Sequence, residues 1–150
     1  APRAHRHRPP SNRAASALTR IARWFGINHI ICNTGTVDYL NPKCVQASMG
    51  SLFYIRVMYT SLGPFLREYR RIVKAPIYGF DTRGQNIFNI PKERTCCLVF
   101  GNEGSGISKE IKPLLTYSVR IPGLNDTMDS LNVVSAASIA IYEMNRRWLV

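Results

Sequence analysis

The sequence predicts an α/β domain, a mostly parallel sheet flanked by helices. Short apolar runs of strand length alternate along the chain with segments whose apolar residues recur at helical spacing. One of those runs, Cys96–Phe100, ends abruptly in the glycine-rich Gly101–Ser108, the kind of turn that follows a buried strand. A length of 150 residues with 45% hydrophobic content fits one compact core without metal or disulfide staples.

The elements follow in order. Leu18, Ile21, Ala22 and Phe25 share one helical face over residues 17–25, and Gly26 is placed to stop that helix. Residues 27–32 read as a buried strand. Asn41 followed by Pro42 is a helix start, with the helix running to about Gly50. Residues 52–59 form a second strand, residues 61–73 a helix with a basic face, and residues 75–81 a third strand. The polar stretch 82–94 reads as turns, and 96–100 as a short strand. A short helix over 109–115 leads to a strand at 117–122. A loop at 123–129 then precedes a long helix from about Ser130 to Trp148.

Charge narrows the partner. Twenty Lys and Arg stand against nine Asp and Glu, a net charge of +11, which favours a polyanion and nucleic acid first. Arg outnumbers Lys 15 to 5, which suits planar bidentate contacts to phosphate. Residues 1–37 hold six Arg and no carboxylate; Asp38 is the first acid. Residues 1–16 therefore read as a basic, disordered or atypical arm, and 17–150 as the folded domain. No apolar run is long enough for a transmembrane helix, and no secretory leader is visible. Cys32, Cys44, Cys96 and Cys97 fit neither metal-ligand spacing nor a disulfide framework, which predicts reduced core thiols in a cytoplasmic protein. His5, His7 and His29 suggest no metal site.

Two constellations carry chemistry. Gly101-Asn102-Glu103-Gly104-Ser105-Gly106 lies at a strand's carboxyl end, where open α/β sheets bind ligands. Its spacing is neither a dinucleotide fingerprint nor a P-loop. The second is Ile121-Pro122-Gly123 followed by Asp129-Ser130-Leu131-Asn132, with Ser130 as N-cap of the last helix and Asn132 presenting an amide from its first turn. Val133, Ala136, Ala137, Ala140 and Ile141 give that helix a small-residue face for close packing against the sheet or a second subunit.

Residues 98–108 (LVFGNEGSGIS), 121–143 (IPGLNDTMDSLNVVSAASIAIYE) and 41–57 (NPKCVQASMGSLFYIRV) together resemble the SpoU/TrmH family of SPOUT RNA methyltransferases, in order and at the family's spacing. The resemblance implies a C-terminal deep trefoil knot that binds S-adenosylmethionine (SAM) through backbone groups of its loops. Here Phe100, Gly101, Asn102, Glu103, Gly104, Gly106, Ile121, Pro122, Gly123, Ser130 and Leu131 would hold the cofactor. It also implies a homodimer, no metal, and methyl transfer to a ribose 2′-hydroxyl of tRNA or rRNA. Arg20, followed at the family's distance by Phe25-Gly26, matches the motif-one Arg. Glu103 would orient the loop or pair with an Arg, and Ser130 and Asn132 would position substrate and cofactor. Arg20, Arg23, Arg67, Arg70 and Arg71 are the expected RNA contacts. The chain departs from motif one itself: its Asn falls on Ala14 and its Gly on Ser16. A SAM-binding knotted RNA-binding protein with little catalysis is thus a second reading. A basic ribosome-associated protein without cofactor is a third.

Overall fold

The computed structural model describes residues 12–34, 43, 46, 49–124 and 129–149. The arm up to residue 11, Cys44 and most of the helix expected over 41–50 lie outside the described residues; of that span Lys43 and Gln46 are helical, and Met49 and Gly50 form a turn. The chain divides into two compact units, Ala1–Tyr59 and Thr60–Val150.

In the first unit, α1 spans Asn12–Trp24. It begins five residues before the expected start and takes in residues 12–16 of the supposed arm. Its buried stripe explains the extension: Ala15, Ser16, Thr19 and Ala22 are the residues fully shielded, at helical spacing. Small side chains bury as well as Leu or Ile when the neighbour comes close, a signal that a search for large apolar residues passes over. The two buried hydroxyls are satisfied within the helix, Ser16 Oγ donating to the Arg13 carbonyl and Thr19 Oγ1 to that of Ser16. Gly26 ends the helix as expected. It sits at φ +70°, with its N–H on the Arg23 carbonyl at 3.1 Å and the Ile27 N–H on Ala22 at 2.8 Å, a Schellman closure. Strands β1 (His29–Asn33) and β2 (Arg56–Thr60) pair in a two-stranded sheet. The expected strand over 52–59 is shortened, because Ser51–Tyr54 wind into a 3-10 turn before β2.

The second unit is a three-layer sandwich. Helix α2 (Leu62–Ile72) leads to β3 (Ile77–Asn86), β4 (Cys97–Phe100) and β5 (Tyr117–Arg120), and α3 (Val133–Asn145) follows. The strands form a sheet in the order β4-β3-β5, with both pairings parallel. Strand alternation sends Ile77 and Val99 to one face, against Leu66 of α2, Ile107 and Ile111. Tyr78 and Val119 face the other side, against Ala140 and Met144 of α3 with Ile87 and Ile90. Tyr78 is fully buried, stacks on Tyr117 at 5.3 Å, and donates its hydroxyl to the Pro91 carbonyl at 2.8 Å.

β3 outruns its expected end at residue 81. Phe80 and Gln85 both partner Val119, so residues 81–84 arch out of the ladder and β3 resumes through Asn86. Gly84 permits this, since a Cβ there would lie 2.5 Å from the backbone of Ser118 and Val119. The stretch is polar because the arch faces solvent, which made it read as turns. The expected helix over 109–115 is only a 3-10 turn at Lys112–Leu114. The last helix begins at Val133, and Arg146–Trp148 form a separate 3-10 turn.

Candidate cofactor and catalytic site

Parallel pairing on both sides of β3 brings two of the expected loops to one edge. Phe100 and Val119 both lie in register with Phe80. The chain therefore leaves β4 and β5 at the same, carboxyl end of the sheet, separated by one strand and so by about 10 Å. That is the position at which Gly101–Gly106 and Ile121–Gly123 begin.

The first loop closes on itself. The Asn102 N–H donates to the Gly106 carbonyl at 3.1 Å, and the Gly106 N–H returns to the Asn102 carbonyl at 2.8 Å. Asn102 Oδ1 accepts the Gly104 N–H at 3.0 Å, so a side-chain turn braces the tip. Two glycines are required here for different reasons. A Cβ on Gly101 would stand 2.2 Å from the Gly106 carbonyl carbon and 2.4 Å from the Ile107 nitrogen, whereas Gly106 has open space but sits at φ +67°. Glu103 is exposed on the loop. Among these residues it is Asn102 whose side chain braces the loop.

Nothing stands within 4 Å of a Cβ on Gly106 or Gly123, and only Asn102 Oδ1, at 3.7 Å, near one on Gly104. The backbone of both loops is thus open to a ligand that approaches main-chain groups, the requirement for a SAM site built from loop backbone. The residues present at Gly104, Gly106 and Gly123 are compatible with such a group.

The N-cap of α3 is Asn132, not Ser130. Asn132 Oδ1 accepts the Ser135 N–H at 2.9 Å, and the Ala136 N–H bonds the Asn132 carbonyl at 2.9 Å. Ser130 and Leu131 lie before the helix and are exposed. Asn132 therefore has its side-chain oxygen committed to the helix, and only its Nδ2 remains to face a ligand.

The expected arginines divide between the units. Arg20 and Arg23 stand exposed on α1, with the Arg23 guanidinium 3.7 Å above the Tyr54 ring. Arg67, Arg70 and Arg71 are exposed on α2 at i, i+3 and i+4, hence on one face. Arg71 is engaged by Glu68, its Nη2 2.8 Å from Oε2. Sequence reasoning missed Lys74, which extends that face. It holds a left-handed φ of +55° just past α2, and with Arg70, Glu93 and Tyr117 it lines a hollow of about 410 Å³. A Lys in a glycine-like position leaves no trace in periodicity.

Cys32 is buried and Cys96 and Cys97 are half-buried, and these three are not joined in disulfides. Burial raises the Cys96 and Cys97 thiols to about 11, so at neutral pH they are protonated and not nucleophilic. Burial is also the main cause that lifts the Tyr69 hydroxyl to about 12. Among the described residues, no group of three or more His, Cys, Asp or Glu is placed to hold a metal ion.

The SpoU rRNA Methylase family profile matches residues 7–142, and the chain belongs to that family. It is 28% identical over 128 residues to the 23S rRNA (guanosine(2553)-2′-O)-methyltransferase RlmP of Bacillus subtilis, covering 85% of this chain and 51% of that protein. A 23S rRNA (uridine(2479)-2′-O)-methyltransferase of Streptomyces viridochromogenes is 32% identical over 146 residues, covering 93% of this chain and 50% of the relative. The AdoMet-bound rRNA methyltransferase from Sinorhizobium meliloti superposes with a TM-score of 0.85 at 27% identity, covering 93% of this chain and 54% of that one. The chain spans about half the length of the curated relatives it matches.

Proposed function

We propose that the chain is the catalytic portion of a SAM-dependent RNA 2′-O-methyltransferase acting on rRNA or tRNA. The observation that carries this is the self-closed Gly101–Gly106 loop at the carboxyl end of a parallel sheet, in a chain of the SpoU family. SAM supplies an electrophilic sulfonium methyl group. The protein's part is to hold a ribose hydroxyl in line with that methyl and to let its proton leave. The loops at 101–106, 121–124 and 129–132 bind and orient the cofactor through backbone groups. Arg20 positions the target by the charge and hydrogen bonds of its guanidinium, while another group accepts the proton.

Two further assignments belong to this reading. Ile139 and Tyr142 lie exposed and three residues apart on α3, which supports a homodimer that covers this helix. Among the described residues no helix is long and apolar enough to cross a membrane. Residence in the cytoplasm belongs to the same reading, on cysteine spacing that fits no disulfide framework.

One observation favours the second reading, a SAM-binding protein with little catalysis. Ala14 and Ser16, at the motif-one Asn and Gly positions, lie inside α1, and Ser16 is buried. Methyl transfer from labelled SAM to bulk rRNA and tRNA decides between the two. Transfer that Arg20→Ala abolishes while SAM affinity stays unchanged supports the enzyme. SAM binding without transfer supports the second reading.

A further inference from the structure

Beside Arg20, the first unit carries exposed aromatic side chains that the proposed chemistry does not use. Arg20, Arg23 and Trp24 occupy positions i, i+3 and i+4 of α1, so they share one helical face. The Arg23 guanidinium lies over the Tyr54 ring, which joins this face to the 3-10 turn at Ser51–Tyr54. Trp24 is 84% exposed, Phe53 79% and Tyr54 65%. Three exposed aromatic side chains, one of them under the Arg23 guanidinium, mark this region as a candidate interaction surface. Residues 1–59 hold eight Lys and Arg against one carboxylate, Asp38, so the partner that this field attracts is an anion.

We infer that Trp24, Tyr54 and Arg23 form a stacking platform for an unpaired base of single-stranded RNA. This goes deeper than the methyltransferase reading and rests on it only for the identity of the nucleic acid. Arg23 covers one face of the Tyr54 ring and leaves the residue largely open. Indole, phenol and guanidinium planes are the surfaces on which splayed-out bases stack, while the neighbouring Arg20 and Arg23 charges hold the adjoining phosphates. A duplex hides its base faces and gains only the phosphate contacts.

The test is binding of fluorescein-labelled octauridylate, and of a blunt RNA duplex of the same length, to the full chain and its variants. Trp24→Ala should weaken octauridylate binding roughly ten-fold and leave duplex binding and the salt slope unchanged. Trp24→Phe should restore most of the affinity, and Tyr54→Ala should act as Trp24→Ala does. Arg23→Ala should instead flatten the salt dependence by about 0.7 in logarithmic slope for the lost phosphate contact. Equal affinity of Trp24→Ala and the unaltered protein for octauridylate overturns the platform. So does an equal loss for single strand and duplex. A dimer that dissociates in the sedimentation profile of Trp24→Ala also overturns it, and makes the face a subunit contact. Methyl transfer is scored separately. Trp24-dependent single-strand binding without transfer leaves the platform standing and removes the enzyme reading. Transfer with no Trp24 dependence in binding does the reverse.

Discussion

Gly101 and Gly106 stand five residues apart in the same loop, yet they resist substitution for different reasons. At Gly101 a methyl group runs into backbone, which cannot rotate away, so Gly101→Ala must open the 102–106 turn. At Gly106 there is room, and alanine meets only the left-handed penalty of about 1–2 kcal/mol. Gly101→Ala should therefore lower SAM affinity at least ten-fold by calorimetry, while Gly106→Ala lowers the melting temperature and keeps most of the affinity. Equal behaviour of the two variants would contradict the packing at Gly101. Asn132 needs a paired design, because its oxygen caps α3. Asn132→Ala should destabilise the protein by about 1 kcal/mol through loss of the cap, whatever it does to the site. Asn132→Asp keeps a capping oxygen, removes the Nδ2 donor and adds a negative charge, and Asn132→Ser keeps a capping oxygen without that charge. A loss of activity shared by all three variants assigns the amide to the site, whereas full activity of the aspartate or the serine variant confines Asn132 to the cap.

At the scale of elements, β4 and α2 carry a pH signature. Burial raises Cys96 and Cys97 of the β4 region to about 11 and Tyr69 of α2 to about 12. In the unfolded chain these groups titrate near 9 and 10, so above pH 9 the unfolded state releases protons first. Stability from this source is complete below pH 9 and is lost as the pH rises towards 11 and 12. Thermal melts from pH 8 to 11 should show a progressive fall. Replacing both cysteines with Ala or Val should remove the thiol part of it, and an unchanged profile in that variant would contradict the assignment.

The elements also show what the sequence made legible. Strand alternation and the abrupt Phe100–Gly101 boundary placed β4 and its loop almost to the residue, because burial and turn chemistry are both local. The Gly26 stop on α1 was readable for the same reason. The early start of α1 was hidden, since its buried face uses Ala15, Ser16 and Thr19 in place of large apolar residues. The β3 arch was hidden too. It depends on Gly84 meeting the backbone of β5, a contact between segments more than thirty residues apart. The candidate site follows the same division. Its glycines could be found by spacing, but the cap at Asn132 instead of Ser130, and the role of Asn102 in bracing the loop, are matters of hydrogen-bond geometry.

Over the whole molecule, charge and fold would address different ends of the proposed reaction. A net charge of +11 would attract RNA without choosing a nucleotide, whereas the parallel sheet and its glycine loop would address the cofactor. RNA affinity should fall steeply with salt through counterion release. Deleting residues 1–11, which contain Arg3, Arg6 and Arg8, should flatten that slope, and an unaltered slope would show that the segment makes no phosphate contact. The central claim concerns where the methyl group goes. The direct measurement is to incubate the chain with labelled SAM and bulk rRNA and tRNA, hydrolyse the product in alkali, and identify the labelled fragments. Methylation of the 2′-oxygen blocks alkaline cleavage of the adjacent linkage, so the account predicts label in alkali-resistant dinucleotides. Label in mononucleotides bearing a methylated base, or no label from a chain that binds SAM, would contradict it.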